Sequence, residues 1–447
     1  LLIFLVKKGQ NLMREIDCFV NYMVSGLLKL LSVGTVRREN YLMPNPNSWT
    51  TKLTLLLASS LTVMSGATVS PSLPAMKQQF ESAIADPDLR TTLVKLVITL
   101  PALFIVIGSP IAGLVVDRFG RKPLLLLTCI LYGFAGSSGL YLDSLPAILG
   151  GRALLGLAVA GVMVSATTLI ADYYSGPARA AFMGLQSGFM GLGGVVFLTL
   201  GGALAQQNWH YPFGIYLFAW PIALLVFAFI LEPDRSSSSR PNVGAETDMA
   251  SQSTPVSVMV IVYGLTTLSQ IAFYLIPVQL PFFLDNLVKA LPSQSGMAIA
   301  LCTLFSAIAS VTYGKLKQRM EFVTFLPVIF GLMGIGYLLI GQSSNWAHVL
   351  TGLAISGMGL GILMPNMSVW ISVAVPDNLR GRALGGLSTS MFLGQFLSPI
   401  VTQPLTKTLG LGGIYALTGG VLVIVALGFA VFKSQVLNLT RPMISTK

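Results

Sequence analysis

The sequence predicts an all-α polytopic membrane protein, because its apolar residues are numerous, grouped in long blocks and arranged in two similar halves. Hydrophobic residues make up 54% of the 447 residues and charged residues only 10%. So few charges would not cover the surface of a soluble protein of this length. The apolar blocks run for roughly 18 to 25 residues, the length of a helix that crosses a bilayer. A membrane β-barrel would show short segments of alternating polarity instead.

Twelve apolar blocks are divided evenly by a polar segment that is rich in Ser and Pro. Such a composition cannot bury enough apolar surface to fold alone, so the segment is predicted to be a flexible linker. The predicted spans are 53–73, 92–115, 124–142, 146–170, 180–204, 211–231, 257–284, 294–314, 323–342, 346–371, 382–404 and 411–432.

These blocks predict five regions along the chain. Within the first 49 residues, the apolar patches are interrupted by charges and are too short to span. No small-residue cleavage site follows them, so a secretory signal peptide is not expected. The regions are an interfacial or disordered extension at 1–49, a six-helix half at 50–231, a cytoplasmic linker at 232–256, a second six-helix half at 257–435 and a tail at 436–447.

The two halves repeat each other at a constant offset of 201 residues. One such match would mean little in a chain with 45 glycines, but the offset holds across several spans. Two related halves around a central cavity are typical of transporters that bind substrate near the membrane midplane. The matching pairs are Gly113 with Gly314, Arg118 with Arg319, Gly151 with Gly352, Gly156 with Gly357, Arg179 with Arg380, Gly184 with Gly385, and Gly193 with Gly394.

The net charge of +11 is explained by loops on one side of a membrane. Lys and Arg are about twice as frequent in the loops of one side as in those of the other, which places that side in the cytoplasm. Both termini and the linker are then cytoplasmic, and we predict a bacterial inner (plasma) membrane. Nucleic-acid binding is not expected, because no basic cluster is interleaved with aromatic or glycine motifs.

The most informative motif lies between the second and third predicted spans, from Gly113 to Lys122. Gly113 lets two helices approach closely, and Gly120 permits a tight turn. Asp117 can pair with a cation or cap the N-terminus of a neighbouring helix, and Arg118 needs an acidic partner. An ordinary positively charged loop would need neither the glycines nor the acid.

This motif resembles the loop motif of the major facilitator superfamily, and residues 50–435 resemble its twelve-span drug:proton antiporter branch. The resemblance implies a latch that holds the two halves together on the cytoplasmic side while the cavity faces outward. Asp172, at the end of the fourth span, is then a partner of Arg118 or Arg121, or else a carboxylate facing solvent. The latch residues are Gly113, Asp117, Arg118, Gly120, Arg121, Lys122 and Asp172.

The resemblance also gives roles to Arg152 and Gly156, in the fourth span. The family's Arg-x-x-x-Gly element lies in the central path and takes part in proton coupling. A guanidinium at membrane depth needs a wet cavity or a partner, and the alternative is an interfacial arginine that snorkels outward. The chain departs from the antiporter pattern in the fifth span, where Phe197 and Leu198 replace a Gly-Pro pair. No Asp or Glu lies near the centre of a predicted span.

Polar residues within the remaining apolar spans are candidates for a substrate cavity. Buried amides and phenols in a bilayer need hydrogen-bond partners, which either a water-filled cavity or a neighbouring helix can supply. These candidates are Tyr263, Gln270, Tyr274, Gln279, Asn366 and Gln395.

Together these features predict a secondary transporter of small organic solutes. Efflux of drug-like or amphiphilic compounds in exchange for protons is our first interpretation, and a metabolite uptake symporter or facilitator of the same fold is the alternative. The predicted partners are a small-molecule substrate, protons and the bilayer, with the chain a monomer. ATP-driven pumping is not expected, because the chain has no P-loop, and an enzyme is not expected, because a hydrolytic or metal site has few residues to use. His210 and His348 lack partners for a metal site, and the three cysteines are scattered. No metal or other cofactor is predicted.

Overall fold

The computed structural model describes residues 46–233, 256–376 and 379–440, which contain helices but no strand. The predicted extension up to residue 45, the linker from 234 to 255 and the tail from 441 lie outside the described residues. Eleven helical segments are long and apolar enough to cross a membrane. The last of them, Arg380–Val431, is broken at Gly410, where φ is 73°, so it supplies two spans. The twelve predicted spans are therefore confirmed.

The first half contains six spanning helices. The last begins with a 3₁₀ segment, Tyr211–Phe218, and α1 is extended by a 3₁₀ turn, Ser70–Ser72, and a short helix, Leu73–Gln79. The helices are α1 (Trp49–Ala67), α2 (Pro87–Phe119), α3 (Arg121–Gly136), α4 (Leu145–Tyr173), α5 (Gly176–Ala205) and α6 (Ala219–Phe229).

The second half repeats this arrangement. After α12 a short helix, Lys433–Thr440, ends the described chain. The helices are α7 (Val256–Val288), α8 (Pro292–Lys317), α9 (Phe322–Gly341), α10 (Trp346–Ala374), α11 (380–409) and α12 (411–431).

Many hydroxyl groups inside the spans bond to the backbone of their own helix. Ser59 donates to the carbonyl oxygen of Leu55 at 2.7 Å, and Thr68 donates to that of Met64 at 2.6 Å. This pairing removes the cost of an unsatisfied hydroxyl in an apolar medium. The start of α2 is fixed by Asp86, whose carboxylate accepts from the backbone N–H groups of Asp88 and Leu89. These bonds lower the pKa of Asp86.

Each half has its own apolar core. Most residues of one core belong to α1–α6, and most of the other belong to α7–α12. Some buried side chains cross: Tyr274 and Val278 of α7 pack into the first core, and Leu198 of α5 packs into the second. Two separate cores allow the halves to move as rigid units.

Candidate functional site

The loop between α2 and α3 joins three parts of the first half. Gly120 has a φ of 106°, a conformation that favours glycine. Nε of Arg121 lies 3.0 Å from Oδ2 of Asp172 at the end of α4. The carboxylate of Glu232, just beyond α6, accepts from the backbone N–H groups of Arg121 at 2.9 Å and Lys122 at 2.7 Å. We call Gly120, Arg121, Lys122, Asp172 and Glu232 the basic-end cluster, because Arg121 and Lys122 mark this end of the molecule as basic.

Glu232 caps the N-terminus of α3 from more than one hundred residues away in the sequence. Its negative charge meets the first unpaired N–H groups of the helix, where the helix dipole favours an anion. It also fills the space beside Gly120, since a Cβ there would lie 2.6 Å from Oε1 of Glu232. The backbone N–H of Leu231 donates to the hydroxyl of Tyr173 at 3.0 Å, which holds this segment against α4.

The remaining motif residues make no contact with the second half in the part of the chain that the structure describes. Asp117 and Arg118 are exposed, and the Arg118 guanidinium lies 5.5 Å from the Phe119 ring centroid. A Cβ at Gly113 would meet nothing within 4 Å. The sequence predicts a close helix approach at Gly113, and this state of the molecule does not contain one. The Arg121–Asp172 pair joins elements of the first half only, so the latch stays a prediction.

The halves meet along two antiparallel helix pairs, which we call seams. In the α5–α8 seam, a Cβ at Gly202 would lie 2.9 Å from the carbonyl oxygen of Pro292 and 3.1 Å from Cα of Gly296. Further along, Gly194 approaches Thr303 in the same register. In the α2–α11 seam, Nζ of Lys95 donates to Oε1 of Gln403.

Both seams open towards the basic-end cluster. Eighteen residues from Gly202 and Gly296, the same register brings Gly184 opposite Gly314, and a Cβ at either would meet nothing within 4 Å. In the α2–α11 seam, continuing the register for eighteen residues from Lys95 and Gln403 would bring Gly113 opposite Gly385, and a Cβ at Gly385 also meets nothing within 4 Å. Eighteen helical residues span about 27 Å. We call the open end the basic end and the closed end the Lys95 end.

The Lys95 end is closed by polar contacts between the halves. Nζ of Lys95 donates to Oε1 of Gln279 at 2.6 Å as well as to Gln403. Lys95 is 2% exposed, and its Nζ lies 5.4 Å from the ring centroid of Phe282. Nearer the surface, Nζ of Lys407 lies 2.5 Å from Oδ2 of Asp88. The hydroxyl of Ser70 donates to the carbonyl oxygen of Pro277.

Two of the six cavity candidates lie between the halves. Gln279 is fully buried, and besides accepting from Lys95 its Nε2 donates to Oγ1 of Thr406 at 3.4 Å. Tyr274 packs into the first core, where a Cβ at Gly66 of α1 would lie 2.9 Å from its hydroxyl. These two side chains lie where movement of the halves would change their surroundings.

The other four candidates bond within the second half. Nε2 of Gln395 donates to Oε1 of Gln270 at 3.3 Å, and Tyr263 donates to the carbonyl oxygen of Ala383 at 2.8 Å. Asn366 accepts from the Tyr313 hydroxyl and donates to the Phe322 carbonyl oxygen. Helix-to-helix bonding therefore satisfies these groups without a solute, and their role in a cavity stays a prediction.

Arg152 is fully buried inside the first half. Its guanidinium carbon lies 4.5 Å and 4.7 Å from the ring centroids of Phe213 and Tyr216, a geometry of cation–π contacts. Nη2 lies 3.5 Å from the carbonyl oxygen of Gly136. Gly156 packs against α2, where its Cβ would lie 2.4 Å from the Pro101 carbonyl oxygen. The structure places Arg152 among aromatic rings rather than snorkelling outward, and its coupling role stays a prediction.

Lys95, Gln403 and Glu232 are not singled out by the sequence. Lys95 lies within the predicted span 92–115, and Glu232 is the first residue of the predicted linker. The available signal for Lys95 is a single lysine within an apolar run of a span, since an ionisable group at such a position is costly and needs a partner. Nothing in the sequence shows that the partners are amides of the second half.

A cavity of about 310 Å³ lies beside Lys95 at the surface of the Lys95 end, and polar groups of both halves line it. Among the described residues, no group of three or more His, Cys, Asp and Glu side chains could hold a metal ion. Cys129 and Cys302 are buried in separate halves, and neither forms a disulfide.

Two six-helix halves that close at one end and open at the other form the architecture of a membrane transporter rather than an enzyme. Residues 55–287 and 262–441 match the family model described as Major Facilitator Superfamily. The chain belongs to the Major Facilitator Superfamily, as the resemblance of its loop motif predicts.

Curated relatives share part of the sequence. The chain is 36% identical over 156 residues to the multidrug resistance protein MdtG of Serratia proteamaculans (strain 568), a match that covers 34% of this chain and 38% of that protein. It is 34% identical over 156 residues to MdtG of Yersinia enterocolitica serotype O:8 / biotype 1B, which covers 34% and 37%. The chain thus aligns with less than two fifths of the length of these relatives.

Solved structures share the fold. The crystal structure of a D-xylose-proton symporter superimposes with a TM-score of 0.70 at 15% identity, covering 85% of this chain and 97% of the symporter. A bacterial homologue of the human lysosomal transporter Spinster, in an inward-facing and occupied conformation, gives a TM-score of 0.68 at 17% identity, covering 86% and 96%. At such identities the likeness concerns the fold alone.

Proposed function

We propose that the protein is a secondary transporter that exports drug-like or amphiphilic organic solutes in exchange for protons, by alternating access. The observation that carries this proposal is the pair of seams, each closed at the Lys95 end and open at the basic end. A transporter of this kind exposes its central site to one side at a time. The open basic end corresponds to one of its two states, with the site accessible from that end.

In the opposite state the basic end closes and the latch forms. Gly113 then approaches Gly385, and Gly184 approaches Gly314, because paired glycines let helix backbones come into contact. Asp117, near the end of α2, reaches the start of α11 at Arg380. A carboxylate is stabilised there by the helix dipole and by the basic side chains. The basic-end cluster fixes the loop that carries Asp117, so the latch closes as one rigid part of the first half.

The substrate class rests on the relatives and on the chemistry of the interface. The MdtG relatives are named multidrug resistance proteins. In the described structure, the charged contacts between the halves lie at the Lys95 end. The other side chains that cross are apolar, aromatic or amide groups such as Leu198, Tyr274 and Gln279. Such a surface suits amphiphilic or uncharged solutes better than strongly ionic ones, because few charges are available to pair with an ionic group.

An uptake symporter or facilitator is the second candidate. Phe197 and Leu198 replace the Gly-Pro pair of the antiporters. Asp88, Asp117, Asp172 and Asp285, the carboxylates within the described spans, all lie in a first or last helical turn. Both features remove groups that the antiporter pattern uses, and neither indicates a particular nutrient.

The basic end faces the cytoplasm in this proposal, because arginines and lysines concentrate in cytoplasmic loops. Both termini then lie in the cytoplasm of a bacterium, and the chain acts as a monomer in the inner membrane. The six-helix regions at 50–231 and 257–435 are the two moving units, joined by the linker at 232–256.

Flux through the full chain in proteoliposomes tests this function. The solutes are ethidium as a lipophilic cation, chloramphenicol as a neutral drug and xylose as a sugar, each with and without an imposed pH gradient. We expect ethidium or chloramphenicol to move against its gradient when protons flow in the opposite sense. Movement of xylose alone, or equilibration that ignores the pH gradient, would contradict proton-coupled drug export. A deletion strain that is hypersensitive to drugs supports efflux, whereas loss of growth on one nutrient supports uptake.

A further inference from the structure

Lys95 is a buried cation whose hydrogen-bond acceptors are neutral amides. It lies eight residues beyond Pro87, the first residue of α2, which is about 12 Å along the helix. Its Nζ donates to Gln279 of α7 and Gln403 of α11. The side chain is 2% exposed. A charged amine at such a position is costly unless it is compensated.

The other charged groups near Lys95 do not pair with it in the described structure. Lys77, on the short helix after α1, lies near the same aromatic ring as Lys95, with its Nζ 6.0 Å from the Phe282 ring centroid. Asp88, at the start of α2, pairs with Lys407 of α11. Asp285 of α7 lines the neighbouring cavity without an ion pair among the described residues. Lys95 thus carries its charge against amide oxygens and near a second cation, Lys77, with no carboxylate paired to it among the described residues.

The second buried cation without a carboxylate, Arg152, differs in two respects. A guanidinium does not lose its proton in proteins, and the groups around Arg152 belong to the first half, so movement of one half against the other leaves them in place. Lys95 can lose its proton, and both of its acceptors belong to the other half. Opening the seam therefore breaks both hydrogen bonds of Lys95 at once.

The Lys95 amine also lies beside a surface cavity. The cavity of about 310 Å³ that it lines with Gln403 and Asp285 lies at the surface of the Lys95 end. A proton can therefore reach Nζ from that side, and opening of the seam widens the route.

We propose that Lys95 is the proton-binding site of the transporter, and that the bound proton closes the Lys95 end. The ammonium donates charge-assisted bonds to Gln279 and Gln403, which are about twice as strong as neutral ones. The proton enters from the Lys95 end while that end is open and leaves Nζ for water on the open basic side, so it crosses the membrane instead of returning. The amine that remains lacks the charge-assisted bonds, and the Lys95 end opens. This inference rests on the proposed exchange with protons, and it supplies the titrating group that the spans otherwise lack.

A distance measurement tests the proton site without a solute. Spin labels replace the exposed Leu89 of α2 and Leu409 of α11, in a background whose native cysteines are changed to alanine, and double electron–electron resonance is recorded in lipid nanodiscs. Between about pH 5.5 and about pH 9, a range that spans lysine deprotonation when the charged form is disfavoured, we expect the short distance to decline and a longer one to grow.

Variants identify the group responsible. Lys95→Met should show the same distances at every pH, and Lys95→Arg should stay short throughout. Lys77→Met, a matched change of the neighbouring cation, should keep the transition between the two distances, although its midpoint moves because one positive charge near Lys95 is gone. A pH response that persists in Lys95→Met, one that disappears in Lys77→Met, or its absence from the unchanged protein would overturn the proposal.

Ethidium flux then separates this proposal from the proposed function. In proteoliposomes, Lys95→Met should still equilibrate ethidium but lose the pH-driven accumulation by roughly tenfold, while Lys77→Met keeps it. Full accumulation by Lys95→Met would overturn the role of Lys95. If the unchanged protein moves neither ethidium nor chloramphenicol while the label distances still follow Lys95, drug export is wrong and the proton site stands.

Discussion

The two ends of each seam consist of the same two helices, and they differ in what fills the space between them. At the Lys95 end, Gly202 and Gly296 are in backbone contact and Lys95 bonds to two glutamines. At the basic end, the glycines that continue this register face open space. The small residues are therefore present at both ends, and only one end uses them in this state. We infer that the glycines of the open end come into contact with each other in the other state of the transporter.

This comparison also separates structural groups from moving groups. The basic-end cluster ties α3, α4 and the segment after α6 together within the first half, so it survives when the seams change. The bonds of Lys95 cross between the halves and do not survive.

Gly296→Leu should abolish transport. A Cβ at Gly296 would already lie 2.7 Å from the carbonyl oxygen of Leu198 and 2.9 Å from Cα of Gly202, and overpacking of this kind costs about 1–3 kcal/mol. The Lys95 end can then no longer close. Ethidium flux and the label distance across Leu89 and Leu409 measure the effect, and normal flux with a closed distance would show that the seam is not needed. The control is Gly420→Leu, at a glycine of α12 that, unlike Gly296, faces open space.

Asp117→Asn should abolish transport without preventing insertion into the membrane. The change removes the charge that we assign to the start of α11 in the closed basic end, and it leaves the basic-end cluster intact. Flux is measured together with the amount of protein in purified membranes. Near-normal flux would refute the latch role of Asp117. Glu321→Gln, at an exposed carboxylate before α9, serves as a charge-matched control.

Gly184→Leu should reduce transport by roughly tenfold, while the state described here remains stable. The new side chain has room in the open seam, since nothing lies within 4 Å of its Cβ, but it would keep Gly314 away when the basic end closes. Thermal unfolding should match that of the unchanged protein within the error, and flux should fall. If thermal stability fell together with flux, Gly184 would be packed against other residues in the state described here.

Lys407→Gln should change transport by less than about twofold. Its pair with Asp88 joins two side chains that are each about half exposed, and exposed pairs of this kind contribute about 0–1 kcal/mol and weaken in salt. Flux measured in low and high salt should differ more for the unchanged protein than for the variant. A loss as large as that of Lys95→Met would show that the outer ion pair, rather than the buried lysine, closes this end.

The fold follows from the sequence because the bilayer sets the length of every apolar block. The predicted span 92–115 corresponds to α2, which extends to Pro87 and Phe119, since polar residues continue the helix beyond the apolar run. The predicted spans 382–404 and 411–432 join into one segment with a break at Gly410. The repeat of the two halves at a constant offset can also be read from the sequence, because both halves retain glycines in corresponding spans.

The site follows from the sequence only where the residues lie in one motif or one helix. The Arg121–Asp172 pair is one of two pairings that the sequence allows, and the structure shows which is formed. Gln279 is recognisable as an amide in an apolar helix. Lys95 and Gln403 are separated by 308 residues, and their pairing depends on how two helices from different halves cross. Local patterns carry no information about that crossing.

The two ends of a seam should open and close in opposite senses. The most direct test uses two label pairs on the same helices, the exposed Leu185 with Val311 towards the basic end, and the exposed Leu200 with Met297 at the Lys95 end. As the pH rises, we predict that the distance across Leu185 and Val311 shortens while that across Leu200 and Met297 lengthens. Distances that change in the same sense, or do not change at either end, would contradict alternating access between these halves.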